Sequence, residues 1–148
     1  MQKEHIIIAL ADDDEDDRLF FKDAFDELKI NTVVSTHCDG EELMNYLHQP
    51  ETILPNILFL DLNMPRKNGF ECLLEIKKNQ KFDDIAIAIY STSSSEEDIE
   101  NTFVSGANIY IKKPSDFTML KKILSEIVTL NWQYHTSGLN KENFLLRM

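Results

Sequence analysis

The sequence is poor in the residues that build several common kinds of site. It has only 4 glycines among 148 residues, and their spacing fits neither a phosphate-binding loop nor a dinucleotide-binding glycine motif. Its 2 cysteines, Cys38 and Cys72, fit neither a disulfide framework nor the paired spacing of a zinc module. These absences exclude the common nucleotide-binding motifs and small disulfide-stabilised domains.

Basic residues are also scarce, since 15 lysines and arginines face 26 aspartates and glutamates, giving a formal net charge of -11. Such a surface repels nucleic-acid backbones and anionic lipid headgroups, so we expect no direct DNA binding and no membrane association. No apolar run approaches the length of a membrane span, and "IIIALA" is too short for the core of a signal peptide. We therefore expect a cytoplasmic protein.

Short apolar runs alternate with longer amphipathic segments along residues 1–130, and this alternation predicts an α/β domain. The predicted strands are "HIIIAL", "TVVST", "NILFLD", "IAIAIY" and "NIYIKK". A helix follows each strand, and Ser94 with Glu97 three residues later predicts the start of the fourth one. Right-handed crossovers then give a doubly wound, five-stranded parallel sheet.

Polar residues follow four of the five predicted strands. Asp12 and Asp13 follow the first strand, Asp61 the third, Ser91 the fourth and Lys113 the fifth. Because the carboxyl ends of parallel strands share one edge of the sheet, these side chains should meet in one crevice. Three carboxylates with one ammonium favour a divalent cation, and oxygen ligands without histidine or cysteine indicate Mg²⁺.

Four of these strand ends carry motifs that resemble the receiver domain of two-component response regulators: "ADDDEDDR", "LFLDLNMPRKNGFE", "YSTSSSEEDI" and "GANIYIKKP". The resemblance covers about residues 5 to 130. It implies a flavodoxin-like, CheY-like sheet with the strand order 2-1-3-4-5. The loop "HQPETILP" and the tail "NKENFLLRM" are similar to those of stand-alone receivers that work with phytochrome-type sensor kinases.

The resemblance implies a phosphorylation site that uses Mg²⁺. Asp61 occupies the position of the aspartate that accepts a phosphoryl group from a histidine kinase. Asp13 would bind the metal directly, Asp12 mainly through water, and Asn63 through its main-chain carbonyl. The metal would offset charge while the Asp61 carboxylate attacks an anionic phosphoryl group.

The resemblance also implies a switch. Lys113 would bind a phosphate oxygen, the Ser91 hydroxyl would move toward the phosphate, and Tyr110 would turn inward with it. These movements would alter the face formed by the fourth helix, fifth strand and fifth helix, which binds partners. The Lys113–Pro114 bond is usually cis in this family, although the sequence does not specify the isomer. Tyr110 could equally be an ordinary core aromatic.

Three alternatives to this interpretation concern the acidic residues. The run could be a solvated loop, with Asp14 to Asp17 only capping and charging the first helix. An aspartate-nucleophile phosphohydrolase would need a general acid two residues after Asp61, where Asn63 stands. The third alternative is a pure interaction domain whose switch is no longer used. Such a domain would not need the complete set of site residues, which this sequence retains: Asp12, Asp13, Asp61, Ser91 and Lys113.

Residues 131–148 follow the predicted receiver domain of residues 1–130 as a C-terminal extension. The extension contains Trp132, Tyr134 and Phe144, which make it too apolar for a simple solvated tail. It should pack either on the surface of its own domain or on a partner, as a homodimer or kinase contact.

Overall fold

The structure is a computed structural model that describes residues 5–134 and 145–146. Its strands are β1 (Ile6–Ala11), β2 (Thr32–His37), β3 (Ile57–Leu60), β4 (Ala86–Ser91), β5 (Ile109–Lys112) and β6 (Leu145–Leu146). Its α-helices are α1 (Glu15–Leu28), α2 (Gly40–His48), α3 (Gly69–Lys77), α4 (Glu96–Val104) and α5 (Phe117–Tyr134), and a 3-10 turn spans Gln80–Phe82.

The strands form one parallel sheet in the order β2-β1-β3-β4-β5-β6. The predicted five-stranded order 2-1-3-4-5 is confirmed, and β6 is an addition that we did not predict. This short strand comes from the C-terminal extension and lies parallel to β5, with Tyr110 opposite Leu145 and Ile111 opposite Leu146. The β5 edge of the five-stranded sheet is therefore covered by the chain's own C-terminal segment.

Helices pack on both faces of the sheet, as the doubly wound prediction requires. On one face, α1 and α5 bury Phe21, Phe25 and Leu124 against β1 residues such as Ile8. On the other face, α2, α3 and α4 pack against the alternate residues of the same strands. That second core contains Ala9, Ala11, Leu43, Leu47, Leu58, Leu60, Cys72, Leu73 and Ile99. Strands buried on both faces read as continuous apolar runs, which explains their visibility in the sequence.

The start of α4 differs by one residue from the prediction. The N-cap is Ser95 rather than Ser94, and its hydroxyl accepts a hydrogen bond from the Asp98 amide at 3.0 Å. Ser93 anchors this arrangement, because its hydroxyl donates to the Asp98 carboxylate at 2.8 Å and accepts from the Ser95 amide at 3.2 Å. These contacts make Ser95, rather than one of the neighbouring hydroxyl residues, the N-cap of α4.

The last helix is longer than predicted, since α5 continues past the expected domain boundary at residue 130 to Tyr134. The predicted packing of Trp132, Tyr134 and Phe144 concerns side chains outside the described part of the chain. Among the described helices, none combines the length and apolarity needed to cross a bilayer.

Candidate functional site

Main-chain hydrogen bonds align the carboxyl ends of the strands. The Asp12 amide donates to the His37 carbonyl at the end of β2, and the Asp61 amide donates to the Ala11 carbonyl at the end of β1, each at 3.0 Å. The Lys113 amide donates to the Ser91 carbonyl at 2.8 Å, which joins the ends of β4 and β5. Asp12, Asp61 and Lys113, the first residues after β1, β3 and β5, are thereby held at one edge, as predicted. Ser91 is the last residue of β4 rather than the residue after it.

Three carboxylates from two strand ends meet at this edge. Asp12, Asp13 and Asp61 each offer an oxygen, and these oxygens all lie within 4.8 Å of one another. Asp12 is fully buried, Asp61 is 5% exposed, and Asp13 is open to solvent. We call these three residues the carboxylate trio. Buried carboxylates so close together repel one another unless a cation is shared between them.

Lys113 supplies one positive charge to the site. Its Nζ lies 2.8 Å from Asp12 Oδ2, 2.9 Å from Asp17 Oδ2 and 3.4 Å from Asp61 Oδ2. Burial acts to lower the pKa of this ammonium, but the carboxylates outweigh burial and raise the pKa above its usual value. The ammonium also lies 5.4 Å from the centroid of the Tyr90 ring, a cation–π contact.

Asp12 remains incompletely satisfied in spite of Lys113. Its buried Oδ2 pairs with the ammonium by charge, but the contact lacks hydrogen-bond geometry and leaves this oxygen without a hydrogen-bond partner. Its Oδ1 accepts from the Asp14 amide at 3.0 Å, and its carbonyl accepts from Arg18 Nη1 at 2.8 Å. A buried carboxylate that shares its one cationic partner with Asp17 and Asp61, and lies beside two more carboxylates, fits a hard divalent cation.

Burial raises the pKa of Asp61 to about 6, with Asp12 adding to the effect and Lys113 opposing it. Burial likewise raises the pKa of Asp12. A divalent cation beside these groups would favour their charged forms. The Asp61 Oδ1 accepts a hydrogen bond from the Asn63 amide at 3.3 Å. This contact uses the main-chain N–H of Asn63, and the metal-binding role of its main-chain carbonyl stays a prediction.

Gly69 allows α3 to begin directly beside Asp61. A Cβ at this position would lie 2.0 Å from the Asp61 carbonyl oxygen, closer than any side chain can approach. The preceding residue, Asn68, is the N-cap of α3 and exchanges reciprocal 2.9 Å hydrogen bonds with Glu71. The turn "NMPRKNG" therefore brings the backbone of α3 against the end of β3.

Ser91 and Tyr110 form a second group, connected through Ser93. The buried Ser91 hydroxyl accepts from the Ser93 amide at 3.1 Å. The Tyr110 ring is also buried, and its hydroxyl donates to the Ser93 carbonyl at 3.0 Å. Tyr110 is therefore a core aromatic whose hydroxyl is engaged inside the protein rather than at the surface.

The peptide bond between Lys113 and Pro114 is trans, because no cis bond occurs in the described chain. The cis form that the family resemblance implied is therefore not present. The lysine side chain reaches the carboxylates from this trans backbone, with only 9% of its side chain exposed.

The structure adds one residue that the sequence interpretation missed. Asp17 was expected only to cap and charge α1, but its carboxylate accepts a hydrogen bond from Lys113 Nζ at 2.9 Å. The two residues lie 96 positions apart, so no local spacing connects them. A signal was nevertheless available, because Asp17 lies in the first turn of the helix that follows Asp12 and Asp13.

Comparisons with known proteins agree with this geometry. Residues 8–125 match the response regulator receiver domain. The probable methanogenesis regulatory protein FilR2 of Methanothrix harundinacea is 30% identical over 124 residues, which cover 82% of this chain and 80% of that protein. Response regulator Rcp1 of Synechocystis is 29% identical over 125 residues, covering 82% and 85% respectively.

Solved structures give the same result. The phosphorylated cyanobacterial phytochrome response regulator RcpA is 32% identical, with a TM-score of 0.80 over 87% of this chain and 95% of that one. The Mn²⁺-bound form of Rcp1 is 28% identical, with a TM-score of 0.74 over 90% of this chain and 98% of that one. The similarity thus extends over nearly the whole length of both neighbours.

Proposed function

The chain belongs to the response regulator receiver domain family, and from this membership we propose that it accepts a phosphoryl group from a histidine kinase on Asp61. A receiver domain of this family is a signalling module of two-component systems. The observation that supports Asp61 most directly is that it belongs to the carboxylate trio and also lies beside Lys113 Nζ, which is 3.4 Å from its Oδ2.

In the proposed reaction, an Asp61 carboxylate oxygen donates an electron pair to the phosphorus of a kinase phosphohistidine. A P–O bond forms, the P–N bond breaks, and its electron pair stays on the imidazole, which takes up a proton from solvent. Bound Mg²⁺ would supply charge compensation for the phosphoryl oxygens. Asp12, Asp13 and Asp61, with the main-chain carbonyl of Asn63, would hold the cation, and Lys113 would pair with a phosphoryl oxygen.

Asn63 favours a signalling role for this site over that of an enzyme that hydrolyses phosphate esters with multiple turnovers. It lies two residues after Asp61, where an aspartate-nucleophile phosphohydrolase needs a carboxylic acid to protonate the leaving group. An amide side chain cannot donate a proton in that way. Slow loss of the phosphoryl group to water is the only hydrolysis that we expect.

The conformational output is proposed to pass through Ser91 and Tyr110. Phosphorylation adds negative charge and acceptor oxygens beside the end of β4. The Ser91 hydroxyl, which accepts a hydrogen bond from the Ser93 amide, would move to donate its O–H to the phosphoryl group. The Tyr110 hydroxyl donates a hydrogen bond to the carbonyl of the same Ser93. The conformations of the loop before α4 and of the face formed by α4, β5 and α5 would therefore change together.

The proposed partners are a sensor histidine kinase, of the phytochrome type by similarity to RcpA and Rcp1, and a second copy of this chain. Cytoplasmic location and the absence of direct DNA binding belong to the same proposal. The net charge of -11 supports the latter, because DNA would be repelled.

Incubation with a small acyl or amido phosphate and Mg²⁺ tests this function. We expect one phosphoryl group per chain, stable in mild acid and labile in alkali, as measured by intact-protein mass spectrometry. Asp61→Asn should abolish it, whereas Asp13→Asn should slow it and raise the Mg²⁺ requirement. Phosphoryl transfer to a residue other than Asp61 would contradict the proposal.

A further inference from the structure

Lys113 has more carboxylate partners than the proposed chemistry uses. Its ammonium lies within 3.4 Å of Asp12, Asp17 and Asp61, and its hydrogen bond to Asp17 is shorter than that to Asp61, at 2.9 against 3.4 Å. Asp12 and Asp61 belong to the carboxylate trio, but Asp17 does not. It approaches the lysine from the first turn of α1 rather than from a strand end.

The two kinds of partner respond differently to a divalent cation. When Asp12 and Asp61 share a cation, Lys113 competes with that cation for the same oxygens and is repelled by its charge. The Asp17 carboxylate remains available, since it is outside the trio. Its side chain is 37% exposed, so it can follow the ammonium without the cost of moving a buried charge.

We propose that Asp17 is a positioning residue that retains the Lys113 ammonium at the rim of the site while the carboxylate trio binds a divalent cation. Lys113 then remains within reach of Asp61 without neutralising the trio. The inference rests on the proposed function for the location of the cation, but it concerns a contact that forms before any phosphoryl group arrives.

The chain offers a closely matched control for this role. Asp16 precedes Asp17 in the same first turn of α1, is exposed, and carries the same charge. Asp16→Asn therefore reproduces the loss of one negative charge near the helix N-terminus, whereas Asp17→Asn also replaces the charged partner of Lys113 with a neutral amide. The difference between the two variants isolates the contact with the lysine.

The test measures Mg²⁺ affinity by isothermal titration without a phosphoryl donor. Asp17→Asn should weaken Mg²⁺ binding about fivefold more than Asp16→Asn, because Lys113 then competes for Asp12 and Asp61 throughout. Asp17→Glu should restore most of the affinity. In a Lys113→Met background, the two asparagine variants should bind Mg²⁺ equally.

Equal affinities of the two asparagine variants with Lys113 intact would overturn the proposal, as would a difference that persists in Lys113→Met. If Lys113→Met does not fold, the ¹⁵N resonance of the Lys113 ammonium decides the matter. At saturating Mg²⁺ it should stay protected from solvent exchange in Asp16→Asn and lose protection in Asp17→Asn; equal protection would refute the role. Phosphorylation of Asp61 is measured separately, so failure here leaves the proposed function intact.

Discussion

The Tyr110 hydroxyl donates a hydrogen bond to the Ser93 carbonyl at 3.0 Å, which joins the centre of β5 to the loop that follows β4. Ser93 has further partners, since its amide donates to Ser91 and its hydroxyl donates to Asp98 in α4. One residue thus links the proposed switch hydroxyl, the switch aromatic and the first turn of α4. A structural change at any one of these three groups should therefore alter the positions of the other two.

Tyr110→Phe tests this link. The substitution removes the donor but keeps the ring, so it should lower the free energy of unfolding by about 1 kcal/mol, as measured by urea denaturation. The amide resonances of the loop between β4 and α4 should shift with it. Tyr46→Phe in α2, whose ring packs on His37 at a 4.4 Å centroid distance, is the control and should leave those resonances unchanged. Unchanged loop resonances in Tyr110→Phe would contradict the link.

Four strands, β1, β3, β4 and β5, could be predicted because they are buried on both faces and form continuous apolar runs. The edge strand β2 is only partly buried, and its β-branched residues Thr32, Val33 and Val34 indicated it instead. The carboxylate trio and Lys113 could be predicted because the topology of a parallel sheet places strand ends at one edge. β6 could not, since a two-residue strand has no period, and its pairing depends on where the chain returns to the sheet. The Asp17 contact was missed because it depends on the direction of a side chain rather than on spacing.

Gly69→Ala should displace Asp61, the proposed phosphoryl acceptor, through direct steric contact with its main chain. The added methyl group would lie 2.0 Å from the Asp61 carbonyl oxygen, so the end of β3 or the start of α3 must move. We expect a loss of about 1–3 kcal/mol in the free energy of unfolding. Phosphorylation of Asp61 by a small phosphodonor should slow by about tenfold, because the carboxylate is misplaced.

Gly106→Ala separates this effect from general destabilisation. Gly106 has a φ of 105°, so alanine there is strained and should also lower stability, but its neighbour is the Lys77 side chain rather than the site. Its phosphorylation rate should match that of the unmodified protein. A Gly69→Ala variant that is phosphorylated at the rate of Gly106→Ala would show that the close approach to Asp61 is unimportant.

The Glu75 carboxylate should contribute to acid sensitivity at the junction of α2 and α3. It pairs with Lys67 and lies 2.9 Å from His48 Nε2, and its hydrogen bonds to Lys67 and then His48 hold its pKa below the ordinary 4.5. Below pH 4.5 the unfolded chain therefore binds more protons than the folded one. Stability from Glu75 is complete above that pH and is lost as the pH falls through the lowered value.

Glu75→Gln should therefore flatten the stability profile below about pH 4.5 without changing its shape at neutral pH. Urea denaturation at a series of pH values measures this profile. Glu41→Gln, at an exposed position in the first turn of α2, is the control and should retain the full acid slope. An unaltered slope in Glu75→Gln would mean that the contacts of Glu75 with Lys67 and His48 do not persist in solution.

Removal of residues 135–148 should expose the edge of β5, because Leu145 and Leu146 pair with Tyr110 and Ile111. Hydrogen exchange measured by NMR should accelerate at the Ile109–Lys112 amides that bond to β6, while β2 at the opposite edge keeps its protection. In the full chain, protection of β5 should not depend on protein concentration, since β6 belongs to the same chain. Protection that rises with concentration would instead indicate that a second copy supplies the strand.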